Sequence, residues 1–257
     1  MSAALPTHLE IANGIARLAL ASPPVNALSP AMLDSLERAL ASLERRDDWT
    51  VLAIASTAKV FCAGGDLQTM AAWMAAPDVK DTIGRYAERV QAVAARIEAL
   101  PGTTIALCKG SALGGGLELA MACDLRVASS KARFGLPEAG LGLLPGAGGT
   151  QRLTRLCGRG AASRMILGAE VVDAQVALQF GLVQWVFAPD EFEAGVEELL
   201  ARYAAIPLAA VRECKACIAL AVVPHEGFRR EVAGLAALAA LPDTLARVQG
   251  FIHKEKK

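Results

Sequence analysis

The stretch Gly110-Ser-Ala-Leu-Gly-Gly-Gly-Leu-Glu-Leu-Ala120 contains three successive glycines, followed at once by an apolar segment that carries one glutamate. It comes directly after the apolar run Thr103 to Cys108, which is typical of a buried strand. Glycines at this place let the backbone turn without interference from a Cβ atom. The predicted local order is therefore a strand, a glycine turn and a helix that begins near Leu117 and carries Glu118.

The same alternation of short apolar runs and turns extends along much of the chain. Further apolar runs bounded by turn residues predict strands at Ile15 to Leu20, Val51 to Ser56, Leu125 to Ser129, Ala132 to Phe134 and Leu182 to Phe187. Amphipathic patterns predict helices at Pro30 to Leu43, where Ser29 is placed to be the N-cap, and at Ile83 to Leu100. Because strands and helices alternate, we expect an α/β fold.

The composition changes near Ala201, where alanine-rich helical segments begin. We therefore expect residues 1–200 to form a core that contains the active site, and residues 201–257 to form a helical region. About three helices are predicted between Pro189 and Lys257. The apolar faces of the C-terminal helices are suited to packing on other subunits.

Composition and charge exclude several classes of protein. The 257 residues are 54% hydrophobic and 20% charged, and the formal net charge is zero, so no overall field favours nucleic acid or an anionic membrane. We expect a cytoplasmic protein, because the first residues lack the pattern of a secretory signal and no apolar stretch is long enough for a membrane span. The pair Cys214-Lys-Ala-Cys217 falls inside a helical pattern, so we interpret it as structural rather than as a redox or zinc site.

Glu118 has a possible partner in Glu138, which ends the segment Phe134-Gly-Leu-Pro-Glu138. A glycine-rich run from Gly140 to Gly149 follows, so we expect Glu138 to lie on a loop. Either glutamate alone is most simply a solvated surface carboxylate. Two carboxylates held beside glycine-rich turns suggest proton transfer to a small molecule, with backbone N–H groups available to stabilise developing negative charge.

Four ordered motifs carry a family resemblance. These motifs are Phe61-Cys-Ala-Gly-Gly-Asp-Leu67, Gly110 to Ala120, Phe134 to Glu138, and Pro145-Gly-Ala-Gly-Gly-Thr-Gln-Arg-Leu153. Together they resemble the crotonase superfamily and, within it, the enoyl-CoA hydratases. The resemblance extends from Pro24-Val-Asn-Ala-Leu28 to the C-terminal helices. It implies a crotonase-like spiral of β-β-α units, a C-terminal helical trimerisation region, and a homotrimer or a hexamer made of two trimers.

The resemblance also implies roles for individual residues. The N–H groups of Gly65 and Gly115 match the pair that holds the thioester oxygen, Glu118 matches the carboxylate that activates water, and Glu138 matches the one that exchanges a proton with the α-carbon. Contacts with the substrate's CoA portion fall on Ala63, Asp66 and Leu67. The substrate implied is an acyl-CoA thioester, so CoA enters as part of the substrate, and we expect no separate cofactor and no metal.

Three functions remain open at this point. Hydration of a trans-2-enoyl-CoA uses both glutamates, a Δ3-Δ2 enoyl-CoA isomerase can run on Glu138 alone, and a noncatalytic acyl-CoA-binding trimer needs neither. The position of Glu118 in a first helical turn should favour its charged form, whereas an apolar pocket should raise the pKa of Glu138. Met70, Trp73 and Met74 have helical spacing and either line an acyl pocket or pack in the core. The tail keeps the family's Phe and Lys at Phe251 and Lys254, but Ala246-Arg247 replaces its Glu-Gly pair.

Overall fold

The computed structural model describes residues 5–75 and 77–221. The chain divides into two compact units, Met1–Ala204 and Ala205–Lys257. Within the described residues the strands are β1 (Thr7–Ala12), β2 (Gly14–Leu20), β3 (Trp49–Ser56), β4 (Thr103–Cys108), β5 (Ala112–Leu113), β6 (Leu125–Ser129), β7 (Arg133–Gly135), β8 (Val171–Asp173) and β9 (Trp185–Phe187).

The helices of the first unit are α1 (Pro30–Leu43), α2 (Leu67–Met74), α3 (Val79–Ala99), α4 (Gly115–Met121), α5 (Gly149–Leu167), α6 (Ala174–Gln179) and α7 (Phe192–Ala204), with a short 3-10 helix at Pro137–Leu141. The second unit begins with α8 (Leu208–Ala219), which contains the free cysteines Cys214 and Cys217. None of the described helices is long and apolar enough to cross a membrane.

The strands form two sheets. The larger has the order β1-β2-β3-β4-β6-β9, and all its neighbours are parallel except the β1–β2 hairpin. The smaller has the order β5-β7-β8, with β5 and β7 parallel. Parallel neighbours need a crossover between them, and the helices supply these crossovers.

The chain repeats the same order of elements: a strand in the larger sheet, a strand in the smaller sheet and then a helix. It passes from β4 to β5 to α4, and then from β6 to β7 to the 3-10 helix and α5. In the two earlier turns of the spiral, which begin with β2 and β3, the strand of the smaller sheet is replaced by isolated parallel bridges. These bridges join Leu28 with Gly65 and Cys62 with Ala112. Each turn therefore stacks in parallel on the one before, and the expected spiral of β-β-α units is confirmed.

The larger sheet is covered on both faces, which explains the nearly continuous apolar runs in its sequence. Successive residues of β3 point to opposite sides: Leu52 and Ile54 belong to one hydrophobic cluster, and Val51 and Ala53 to another. The first cluster includes apolar residues of α1, α3 and α4, and the second includes residues of α7. This double cover fixes where the ends of the strands, and the turns that follow them, can lie.

Several predicted elements are confirmed with close boundaries. Helix α1 spans the predicted residues, and Ser29 is its N-cap, with the hydroxyl oxygen accepting a hydrogen bond from Met32 N at 3.2 Å. Strands β4 and β6 also have the predicted bounds. The last strand is shorter than expected, and β1, α2 and β8 were not predicted. Helix α2 contains the stripe of Met70, Trp73 and Met74 that the sequence showed at helical spacing, although none of its residues is buried.

The predicted division into a core of residues 1–200 and a trimerising region of 201–257 stays a prediction, although the boundary between the two compact units falls nearby, between Ala204 and Ala205. The features noted in the C-terminal tail, from Ala246 to Lys254, lie outside the described residues.

Candidate active site

A cavity of about 240 Å³ lies in the first unit, where helices α2 and α3 face the starts of α4 and the 3-10 helix. Its wall is mainly apolar. Six of the residues that the sequence singled out line it, namely Ala63, Gly65, Leu67, Gly115, Glu118 and Glu138. The fold therefore brings together glycines and glutamates that are up to 73 residues apart in sequence.

Gly65 and Gly115 meet because they occupy corresponding places in successive turns of the spiral, each after the second strand and before a helix. A Cβ atom on Gly64 would lie 3.0 Å from the Gly115 nitrogen, and one on Gly115 would lie 3.7 Å from the Gly65 nitrogen. The Gly115 N–H belongs to the first residue of α4, so it has no acceptor within the helix. Two backbone donors side by side are suited to bind one oxyanion.

The Gly65 loop is held in place by the buried residue Asn26. Its side-chain amide donates to the Phe61 carbonyl oxygen at 3.0 Å and to Ser56 Oγ at 2.7 Å. In return, the Cys62 thiol donates to the Asn26 carbonyl oxygen at 3.0 Å. Asn26 has a φ of 50°, a left-handed conformation that asparagine tolerates better than most residues. The segment before α1 thus fixes the loop that supplies the first donor.

Glu118 is the fourth residue of α4, and only 2% of it is exposed. Its Oε1 atom accepts hydrogen bonds from the backbone N–H groups of Ala147, at 2.8 Å, and Gly149, at 2.7 Å. Both donors bond to the same oxygen, so neither occupies Oε2. The sequence motif that contains Ala147 and Gly149 was recognised, but its function as a clamp on Glu118 was not.

The environment of Glu118 raises its pKa to about 7, mainly because burial penalises the charged form, with a further contribution from the negative charge of Glu138. The hydrogen bonds from Gly149 and Ala147 and the positive charge of Arg152 oppose that rise. The expectation that the first-turn position would favour ionised Glu118 is therefore wrong, because desolvation outweighs the helix terminus.

Glu138 is the second residue of the 3-10 helix rather than part of an irregular loop, because Pro137 can begin a helical turn at this point. Its Oε1 atom lies beside Gly114, where an added Cβ would come within 2.9 Å of it. Its Oε2 atom is buried and has no hydrogen-bond partner among the described residues. Burial raises the pKa of Glu138, as the sequence predicted. A neutral carboxyl group here can act as a proton donor.

The three residues predicted to contact CoA have different environments. Ala63 and Leu67 are exposed at the cavity wall. Asp66 is instead the N-cap of α2, where its carboxylate accepts hydrogen bonds from Gln68 N and Thr69 N. The structure does not bring Asp66 to the cavity wall, and its predicted contact with substrate stays a prediction. The described residues contain no cluster of acidic, histidine and cysteine side chains suited to a metal ion.

Tyr86 on α3 is a cavity residue that the sequence did not reveal, because it follows the ordinary apolar pattern of an amphipathic helix. Its hydroxyl donates to the Leu28 carbonyl oxygen at 2.8 Å, and its ring lies 5.3 Å from that of Trp73. Met70 also lines the cavity. Met74 lies outside this cavity, at a neighbouring apolar recess that Met70 also touches. Of the three residues of the predicted stripe, Met70 alone faces the glutamates.

The sequence profile of the enoyl-CoA hydratase/isomerase family matches residues 10–238. The chain belongs to the enoyl-CoA hydratase/isomerase family. Members of this family resemble it over nearly its whole length. The 2,3-dehydroadipyl-CoA hydratase of Escherichia coli (strain K12) is 38% identical over 232 residues, which cover 89% of this chain and 88% of the relative.

Solved structures of family members extend the comparison to the fold. The enoyl-CoA hydratase of Bacillus anthracis superposes with a TM-score of 0.90 at 31% identity, covering 97% of this chain and 96% of the other. DspI of Pseudomonas aeruginosa superposes with the same TM-score at 35% identity, covering 99% of this chain and 96% of the other. The chain therefore has the crotonase fold, and as a member of the enoyl-CoA hydratase/isomerase family it is related to enzymes that act on CoA thioesters.

Proposed function

We propose that this protein is an enoyl-CoA hydratase, which adds water across the 2,3 double bond of a trans-2-enoyl-CoA to give a 3-hydroxyacyl-CoA. One observation carries the proposal: the buried carboxylate of Glu118 and the half-buried one of Glu138 line the same cavity as the adjacent N–H groups of Gly65 and Gly115. Addition of water requires one group that accepts a proton and another that donates one. The cavity contains both, beside donors for the thioester oxygen.

In the proposed reaction, Glu118 Oε2 takes a proton from water while the water oxygen forms a bond to the β-carbon. The electron pair of the double bond moves toward the thioester carbonyl, whose oxygen gains negative charge. The proton on Glu138 then passes to the α-carbon. The net change is the addition of one water molecule. Between turnovers Glu118 releases the proton that it gained, and Glu138 takes up a proton in place of the one that it lost. The proposed reaction needs no separate cofactor, because CoA is part of the substrate and its thioester bond stays intact throughout.

The N–H groups of Gly65 and Gly115 would hold the thioester oxygen. Hydrogen bonds to this oxygen strengthen as it becomes an enolate, so they stabilise the transition state more than the bound substrate. Loss of one such donor typically costs about 3 kcal/mol of transition-state stabilisation. Burial of the cavity wall strengthens both bonds, because few water dipoles compete with them.

A Δ3-Δ2 enoyl-CoA isomerase is the second candidate, since Glu138 alone could move a proton between the α- and γ-carbons. The clamp on Glu118 favours hydration, because two backbone donors orient a carboxylate that isomerisation does not need. A noncatalytic acyl-CoA-binding trimer needs neither carboxylate. Keeping Glu118 buried and Glu138 half-buried, both with raised pKa values, costs stability, and such a protein would gain nothing from them.

The three candidates are separated by two assays on the purified protein. Hydration is followed as loss of the conjugated enoyl absorbance of crotonyl-CoA, and isomerisation as its gain from a 3-enoyl-CoA. Loss of absorbance from crotonyl-CoA supports the hydratase. Activity on the 3-enoyl-CoA alone identifies an isomerase. Binding of a CoA thioester without either reaction supports the noncatalytic protein and contradicts the proposal.

The rate of hydration should depend on pH in a way that follows from the two pKa shifts. We expect a bell-shaped profile of kcat/KM with one limb near pH 7, because the reaction needs one ionised carboxylate and one protonated carboxyl group in the pair. The rate should fall at the acidic end, where both carboxyl groups are protonated, and at the alkaline end, where both are ionised. The measurement is kcat/KM for crotonyl-CoA against pH. A flat profile between about pH 5 and 9 would contradict these roles.

Met70 should limit the length of the acyl chain. Its side chain touches both the cavity and the neighbouring apolar recess, which also includes Ile83 and Leu143. In Met70→Ala the two spaces join, so kcat/KM for a ten-carbon enoyl-CoA should rise relative to crotonyl-CoA. Each methylene that becomes buried contributes about 0.8 kcal/mol, which is roughly fourfold in rate. The control is Gln68→Ala, an exposed position on the same helix. Equal chain-length profiles for the two variants would show that Met70 does not limit chain length.

We further propose that the protein assembles as a homotrimer or a pair of trimers. Apolar side chains in the second unit support this, since Ile206 is 44% exposed and Ile218 is 72% exposed. Exposed apolar surface of this kind commonly marks a contact between subunits. Light scattering coupled to gel filtration should give three or six times the protomer mass of 26.7 kDa. A single-protomer mass would contradict the assembly without affecting the proposed chemistry.

A further inference from the structure

An ion pair between Arg152 and Glu98 lies directly behind the loop that holds Glu118. Arg152 is on α5, and 8% of its side chain is exposed. Its Nε and Nη2 atoms donate to the two carboxylate oxygens of Glu98, at 3.0 and 2.7 Å. Glu98 lies at the end of α3, so the pair joins two helices. A bidentate pair of this kind fixes the orientation of the guanidinium group.

The remaining guanidinium nitrogen is directed at the loop. Arg152 Nη1 donates to the Ala147 carbonyl oxygen at 2.8 Å. The backbone N–H of Ala147 in turn donates to Glu118 Oε1 at 2.8 Å. Gly148, the next residue, has a φ of 101°, and a Cβ there would collide with the Arg152 guanidinium. The loop is thus held between the arginine on one side and the glutamate on the other.

We propose that Arg152, oriented by Glu98, is a positioning residue that holds the backbone of residues 147–149 in place and thereby aims the Glu118 carboxylate at water. This inference rests on the proposed hydratase function. Arg152 does not line the cavity, so it acts through Ala147 and Gly149 and not by touching substrate. Small displacements of a reacting group lower rates steeply, which makes the support of this loop matter for turnover.

The charges of the pair also act on Glu118. The charged side chains that act on Glu118 are Glu138 from the 3-10 helix and Arg152 from α5. The Tyr86 hydroxyl on α3 also lies near enough to be affected by the charge of Glu118. Helix α4 packs on β6 as well, which carries Arg126. The guanidinium of Arg126 donates to backbone carbonyl oxygens. The positive charge of Arg152 lowers the pKa of Glu118, against the effects of burial and Glu138. Glu98 carries the opposite charge and partly offsets that of Arg152.

Two substitutions should therefore move the pH profile in opposite directions. In Arg152→Gln we expect kcat for crotonyl-CoA to fall about 10- to 100-fold with KM changed less than about twofold. The limb of the pH profile that reports Glu118 should move to higher pH, because a cation near Glu118 is lost. In Glu98→Gln the same limb should move to lower pH, because Arg152 keeps its charge without a counter-ion. A purely structural pair would not produce opposite shifts.

Two more variants complete the test. Arg152→Lys keeps the charge but cannot bridge Glu98 and Ala147 in the same way, so it should restore the pH profile more fully than kcat. Arg164→Gln is the control, since Arg164 lies in the second part of α5, beyond the break at Gly158, and makes an exposed bidentate pair with Glu170. We expect wild-type kcat and pH dependence there. If Arg152→Gln does not fold, Glu98→Gln and Arg152→Lys still carry the test.

The order of the Glu118 pKa values can also be read without turnover. The protonated carboxyl band is followed by infrared titration in each protein, and the spectrum of the same protein carrying Glu118→Gln is subtracted. The pKa of Glu118 should be highest in Arg152→Gln and lowest in Glu98→Gln. If the wild type does not hydrate crotonyl-CoA, the proposed function fails, yet this order remains measurable. If the wild type is active but the two variants leave the pKa unchanged or shift it the same way, the inference is overturned.

Discussion

Replacing Glu118 with Gln is expected to lower kcat for hydration of crotonyl-CoA about a thousandfold, while isomerisation of a 3-enoyl-CoA continues. The amide keeps the size of the side chain, and its oxygen can still accept the hydrogen bonds from Ala147 and Gly149. It cannot take a proton from water. The loss therefore falls on the step in which water is activated.

Glu138→Gln is expected to abolish both reactions, because each passes a proton through the α-carbon. Rates with both substrates should be compared with those of Glu44→Gln. Glu44 forms a surface pair with Arg96 and lies outside the cavity, so this variant should match the wild type. Hydration that survives both Glu118→Gln and Glu138→Gln would end the proposed mechanism.

The Glu118→Gln variant should also be no less stable than the wild type at pH 8, so that unfolding does not explain its inactivity. The pKa of Glu118 is raised from 4.5 in the unfolded chain to about 7 in the fold. A raised acidic pKa means that the fold favours the protonated form. The resulting stabilisation is present below pH 4.5 and is lost as the pH rises through about 7. Glutamine is neutral throughout and avoids this loss, as urea denaturation at pH 5 and pH 8 can test.

Replacing Gly116 with Ala is expected to lower the free energy of unfolding by about 2–3 kcal/mol and to lower kcat as well. Gly116 is the second residue of α4, where an added Cβ would come within 2.6 Å of the Cys62 carbonyl carbon and closer still to its oxygen. The contact is with backbone, so no change of rotamer relieves it. Helix α4 must move away from the preceding turn, which separates Gly115 from Gly65.

Helix propensity acts in the other direction, which makes the sign of this result informative. Alanine in place of glycine inside a helix stabilises by up to about 1 kcal/mol. Gly160→Ala is the control: Gly160 lies early in the second segment of α5, after the break at Gly158, just as Gly116 lies early in α4, and an added Cβ there meets no atom within 4 Å. We expect that variant to be slightly more stable and fully active. If urea denaturation shows Gly116→Ala to be as stable as Gly160→Ala, the close approach of the two turns is not a constraint on the fold.

Local features of the fold were predictable because they depend on neighbouring residues. Ser29 and Pro30 begin α1, and the apolar run at Thr103 to Cys108 forms β4 within the predicted bounds. For α2 the helical spacing of Met70, Trp73 and Met74 was visible, but the bounds of the helix were not predicted. The 3-10 helix around Glu138 was missed because the glycines that follow it suggested irregular structure.

The sequence predicted which residues form the candidate site better than it predicted their pKa values and interactions. Glycine turns and two glutamates identified the chemistry, and six of the seven residues named for the site line one cavity. Asp66 was assigned to the substrate from its motif, whereas its carboxylate is used to cap α2. A carboxylate just before a helix commonly caps that helix, and the motif alone does not distinguish this capping from a contact with substrate.

The sequence by itself determined which groups can react: two carboxylates, and backbone N–H groups at glycines that no Cβ obstructs. Tertiary structure decided how they behave. The clamp on Glu118 comes from residues 29 and 31 positions away, and its positioning arginine is held by Glu98 on another helix. The pKa of Glu118 follows from burial and from charges on other elements, which outweigh its place in a first helical turn. Desolvation and charge act through space, so their effects appear only when distant segments pack together.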